Sequence, residues 1–176
     1  MKRFFAFILA GVLLLACAAC GGGEVSGPED FLARLGSGGF LSGEIIACLP
    51  ACRTMTDPRG PYWHWGEDDG EHHLSARVDN GTLAWYHYRN YGIQFEEAFN
   101  QTLTQEEELA LVKRFIAAFR PDLSGLAWEK KTLQKSLVED REAWIANDGK
   151  EDCGVLVWEG EVVGFSYGNQ LGSILY

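Results

Sequence analysis

Four histidines, His64, His72, His73 and His87, fall in one stretch of the first half of the chain, with Glu67, Asp68, Asp69 and Glu71 among them. Imidazole nitrogens and carboxylate oxygens are together the donor set of zinc and other transition metals. The spacing is not that of a dedicated site. H-E-x-x-H is absent, and on a strand the neighbours His72 and His73 point to opposite faces. The run Glu67-Asp68-Asp69-Gly70-Glu71 also lacks the alternating ligand register of an EF-hand loop. No metal and no other cofactor is expected, and the acidic turn reads as solvated.

Gly164-Phe165-Ser166-Tyr167-Gly168 carries the G-x-S-x-G spacing of a nucleophile elbow and follows a predicted strand. That elbow needs a helix after it, then an acid and a histidine further along. Only eight residues follow Gly168 and none is acidic or histidine, so Ser166 is expected to be a hydroxyl at a strand end. No catalytic residue is assigned; an enzyme would need an acid/base pair that the chain order does not reveal.

Aromatic density is the remaining feature: Tyr62, Trp63, Trp65, Trp85, Tyr86, Tyr88 and Tyr91 crowd the region of the histidines. Alternating strands expose part of such a set, and exposed rings bind sugars, peptides or partner proteins. Tyr62, Trp63, Trp65, Tyr86 and Tyr88 are the candidate ligand-binding residues. The alternative is that Tyr86 and Tyr88 pack under a helix on the second face of a buried sheet.

Where this chemistry takes place is set by the N-terminus. Met1-Lys2-Arg3 followed by the uncharged run Phe4 to Ala16 has the charged n-region and apolar h-region of a signal peptide. The run is too short to span a bilayer, which takes about 20 apolar residues. Leu14-Leu15-Ala16-Cys17 resembles the lipobox of bacterial lipoproteins. That resemblance implies cleavage after residue 16 and a diacylglyceryl group on Cys17. Cys20 is the alternative lipidation site, and an ordinary secretory signal cleaved after Ala19 the alternative reading. Two acyl chains, at about 0.8 kcal/mol per buried methylene, anchor a protein stably outside the cytoplasmic membrane.

Residues 17–27 then read as the lipidated cysteine and a Gly-rich tether, and 28–176 as a single domain large enough for a core. The whole chain carries a net charge of −10. Removing Lys2 and Arg3 leaves 13 basic residues against 25 acidic ones, or −12, which excludes nucleic acid as a partner. Export permits disulfides, so Cys48 and Cys52, close along the chain, are a candidate bridge, with Cys153 pairing to either as the alternative.

The predicted fold class is α+β, with antiparallel hairpins packed on one main helix. A short helix starts near Pro28, capped by Ser26 with Glu29 completing a capping box. Phe40 to Ala47 has strand character, and Pro50 to Pro61 reads as an irregular loop. Asn80-Gly81, flanked by alternating residues, marks a hairpin pairing Val78 with Leu83 and Ala76 with Trp85 on the core face. Thr104 and Glu107 cap the main helix, whose apolar residues run Leu109, Val112, Phe115, Ile116 and Phe119. Leu126 to Gln134 is a predicted strand, Ser136 starts a short helix carrying Leu137, Trp144 and Ile145, and a second hairpin turns at Glu159-Gly160.

Sliding one hairpin onto the other superposes Gly81 on Gly160, Leu83 on Val162, Tyr86 on Phe165 and Tyr88 on Tyr167. The capped helices fall in nearly the same step, which suggests a duplicated helix-strand-hairpin unit over 26–91 and 104–170. A helix followed by hairpins with such turns, in an exported chain, resembles the PepSY-type modules of secreted bacterial proteins. That resemblance implies a non-catalytic module that binds or inhibits extracellular proteases, with no cofactor. The function expected is therefore a membrane-anchored binding or regulatory module acting on an extracellular protein. The alternatives are a binder of a cell-envelope oligosaccharide or other small ligand, and an envelope enzyme.

Overall fold

A computed structural model describes residues 23–91, 103–134 and 140–168. Eight strands form one antiparallel sheet, so the α+β class holds. In chain order the elements are α1 (Pro28–Ser37), α2 (Gly43–Cys48), β1 (Arg53–Asp57), β2 (Gly60–Trp65), β3 (His72–Asp79) and β4 (Thr82–Asn90). They continue with α3 (Gln105–Phe119), a 3-10 turn (Pro121–Leu123), β5 (Glu129–Gln134), β6 (Asp140–Asn147), β7 (Asp152–Trp158) and β8 (Glu161–Tyr167). The spatial order is β1-β2-β3-β4-β8-β7-β6-β5. Two up-and-down meanders, each preceded by a helix, thus meet at a β4–β8 seam. Among the described residues no helix is long and apolar enough to cross a membrane.

Local chemistry explains the helices. Thr104 and Glu107 form the reciprocal capping box, with the Thr104 hydroxyl accepting from the Glu107 N–H and the Glu107 carboxylate accepting from the Thr104 N–H. At α1 the cap residue is Gly27, because Pro28 occupies the first helical position. The acid that reaches back is accordingly Asp30, which accepts from the Ser26 N–H at 2.9 Å, and not Glu29. The expected strand at Phe40–Ala47 is instead the helix α2. Ser42 caps it by accepting from the Ile45 N–H, and Glu44 lies in its first turn, so the local cap outweighs the β-branched pair Ile45-Ile46.

Two other expectations change. Pro50–Pro61 was to be a loop, but most of it forms the β1–β2 hairpin, with Asp57 accepting from the Arg59 N–H at its turn. β1 is almost wholly exposed and so shows no hydrophobic alternation to read. Trp144 and Ile145 lie on a strand, β6, not on a helix, and Trp144 stands opposite Val155. Ser136 and Leu137 lie outside the described residues.

Both predicted hairpins form. Asn80 and Gly81 have φ of 51° and 78°, and Glu159 and Gly160 have 49° and 80°, the paired positive values of a type I′ turn. Register departs from the expectation at one point. Val78 pairs with Leu83 as predicted, but a β-bulge then brings Arg77 opposite Trp85 and Ala76 opposite Tyr86. One extra residue in β4 reverses the faces beyond it: Tyr86 turns into the core and Trp85 turns out.

α1, α2 and α3 contribute to a single core on one face of the sheet. Phe31 of α1 packs against Trp63, Trp65 and Tyr86, and Phe115 of α3 against Tyr86 and Phe165. Leu74, Ala76, Leu83, Val155 and Val162 complete this core. Hydrogen bonds also cross between the halves: the Val162 N–H donates to the Phe40 carbonyl, and the Arg120 guanidinium donates to the Leu83 carbonyl.

Candidate functional site

On the other face, β2, β3 and β4 line an open groove of about 320 Å³. Strand alternation puts Tyr62 and His64 of β2, His73 and Ser75 of β3, and Trp85, His87 and Arg89 of β4 on this side. Asp57 and Arg59, from the β1–β2 turn, close one end, and Tyr91 stands at the other. The Tyr62 and Trp85 rings lie 5.6 Å apart at 45°.

Beside the groove Arg77 is buried and held by several acceptors. It donates to the Gly60 carbonyl at 2.9 Å and to the Asp57 carboxylate at 2.5 Å. That hydrogen bond holds the Asp57 carboxyl below its ordinary value. Arg77 thereby fixes the β1–β2 turn on the sheet, which places Arg59 at the rim.

Three of the four histidines face this side. The His73 Nε2–H donates to the Gly70 carbonyl at 2.9 Å. His64 Nδ1 lies 2.9 Å from the Ser75 hydroxyl, and the two imidazoles are 5.7 Å apart. Burial, then the neighbouring His73 and Arg53, push the His64 pKa below its ordinary value, so the ring is neutral at pH 7. Gly66 is required between them: a Cβ there would stand 2.5 Å from His73 Nδ1. His72 turns to the helix side, where its Nδ1 meets the Tyr88 hydroxyl at 2.8 Å. Among the described residues no three His, Cys, Asp or Glu side chains converge as metal ligands.

The structure separates the aromatic candidates. Tyr62 lines the groove, whereas Trp65, Tyr86 and Tyr88 are buried in the core and Trp63 packs there against Phe31. The reason is period: Trp63 and Trp65 share a face with Ala76 and Leu74, and the bulge adds Tyr86 and Tyr88 to it. Trp85, Arg59 and Arg89, absent from the sequence-based candidates, take their place. Ser166 is buried on β8 and its hydroxyl has no hydrogen-bonding partner among the described residues, so no base is positioned to activate it.

Cys48 and Cys52, the candidate bridge, are both free cysteines in the structure. Cys48 is exposed at the end of α2, and the chain leaves it extended through Leu49 (ψ 134°) towards the half-buried Cys52. Cys153 is buried on β7 and donates to the Ala146 carbonyl at 3.3 Å. Burial pushes its thiol up to about 11, which makes it a packing residue and not a nucleophile.

Compared with protein families, curated proteins and solved structures, the chain matches none of them.

Proposed function

We propose that this protein is a membrane-anchored extracytoplasmic lipoprotein that binds another extracellular protein through the open face of its sheet, without catalysis. One observation carries the reading. Helices cover one sheet face, while the other presents a groove of Tyr, Trp and Arg side chains, the composition that dominates protein interface energetics. Its rim holds Tyr91, 62% exposed, and Met55, 41% exposed and paired across from Tyr62. These are the exposed large hydrophobic residues among those described.

The test is site-specific photocrosslinking on intact cells. A crosslinker at Met55 or Tyr91 is expected to capture a protein, whereas one at Lys113, exposed on α3 behind the sheet, captures none. Adducts from Lys113 alone, or none from any position, would sink the proposal. The second reading, an oligosaccharide ligand, draws on the tilted Tyr62–Trp85 pair, which offers two ring faces. It predicts a glycosidase-sensitive adduct in place of a protein one.

The lipid anchor makes a separate prediction. Cys17→Ala is expected to abolish incorporation of labelled palmitate and to release the protein from membranes, with Cys20→Ala leaving both intact. The reverse result would move the anchor to Cys20, and label on neither would leave cleavage by the ordinary secretory route.

We also read the wide face as the product of duplication, in keeping with the PepSY-like reading of the sequence. The bulge after Arg77 recurs between Leu156 and Val157, at the same separation as Gly81 and Gly160 (160 − 81 = 79). A bulge at one place in two hairpins of unlike sequence is what two copies of one ancestral unit would retain.

A further inference from the structure

We propose that the groove is a receptor for an acidic stretch of extended polypeptide. This deepens the protein-binding reading above and rests on it. The first observation is a set of donors without acceptors. Among the described residues four buried side-chain polar atoms lack a hydrogen-bond partner, and three of them belong to β4 and β8: Trp85 Nε1, Arg89 Nε and Ser166 Oγ. Trp85 and Arg89 line the groove, and Ser166 stands directly opposite Trp85 in the sheet. A buried N–H left unsatisfied costs about 1–3 kcal/mol, and folded proteins tolerate few of them. Three of them lie along one depression, where a ligand seated against Trp85 and Arg89, with those side chains turned to meet it, would supply the missing acceptors.

The second observation is charge. The chain carries −10 overall, yet the groove walls hold two arginines, Arg59 and Arg89, against one carboxylate, Asp57, which is already shared with the buried Arg77. A cationic, donor-rich, acceptor-poor cleft on an acidic protein selects an anion with several oxygens. The spacing separates a polypeptide from a small anion. Trp85 and Arg89 are four residues apart on one strand, about 13 Å, so one carboxylate does not serve both. An extended chain with acidic side chains presents carboxylate and carbonyl oxygens at that pitch, and Tyr91 and Met55 at the rim give its apolar side chains a contact.

The experiment follows the Trp85 indole N–H by NMR in the 15N-labelled protein from Gly21 onward, its resonance identified by its loss in Trp85→Phe. A deca-glutamate peptide is titrated against deca-glutamine and oligogalacturonate. Deca-glutamate is expected to shift the Trp85 resonance downfield saturably and deca-glutamine to leave it in place. Arg89→Gln is expected to weaken the interaction about tenfold or more, as the loss of a charge-assisted bond does, while leaving the rest of the spectrum folded. Equal shifts with both peptides, or none with either, would overturn the proposal. A response to oligogalacturonate alone would also overturn it, and would favour the saccharide reading. Protein adducts from Met55 or Tyr91 alongside a negative titration would remove the acidic specificity and leave the binding face standing; loss of both would remove the face.

Discussion

Tyr86→Ala is expected to cost about 4 kcal/mol and to lower the melting temperature by roughly 8–16 °C for a domain of this size. Tyr86 is fully buried where the two halves meet. Its ring touches Phe31 of α1 and Phe115 of α3, and its hydroxyl donates to the Val162 carbonyl at 2.5 Å across the seam. Alanine leaves a ring-sized cavity bounded by two helices and two strands that cannot collapse independently. Tyr86→Phe keeps the ring and forfeits one hydrogen bond, about 1 kcal/mol. Trp85→Ala, on the half-buried outer side, is expected to cost less than Tyr86→Ala. Denaturant titration of the three variants decides the register, since a larger loss at Trp85 than at Tyr86 would mean that β4 runs without its bulge.

Glu108→Leu is expected to cost about 3 kcal/mol, although leucine is the better match to an apolar core. Glu108 is 4% exposed. It accepts from the Trp144 indole at 3.2 Å and from Lys130 at 2.8 Å, and Lys130 is 16% exposed with Glu142 as its second partner at 3.0 Å. Removing Glu108 alone strands a buried indole N–H and halves the compensation of a mostly buried ammonium. Pairing Glu108→Leu with Lys130→Met removes the charge as well and is expected to recover more than half of the loss. Equilibrium unfolding of the single and double variants measures the coupling, and additive losses would show that the contact carries none.

What was legible in the sequence was local. Asn80-Gly81, Glu159-Gly160 and the Thr104/Glu107 cap announce themselves because a positive φ or an orphan N–H is answered within a few residues. The β1–β2 hairpin stayed hidden because Arg53-Thr54-Met55-Thr56-Asp57 buries almost nothing. α2 and β6 reversed because Ile45-Ile46 and Trp144-Ile145 are short apolar pairs that carry no period of their own. The groove was missed for a sharper reason. One unpaired residue in β4 decides whether Trp85 or Tyr86 faces the core, and no residue type marks it. The β4–β8 seam, which fixes the width of the face, joins positions such as Trp85 and Ser166 that lie far apart along the chain.

Among the described residues the open sheet, unlike a barrel, ends in two strands that each have a neighbour on one side only, β1 and β5. Unpaired backbone groups on such strands template pairing between molecules. β1 is five residues long with Arg53 and Asp57 at its ends and Pro58 directly after it, and β5 begins Glu129-Lys130-Lys131. Brevity, charge and a proline at the margins oppose edge-to-edge pairing between copies while leaving the strand face beside them uncovered.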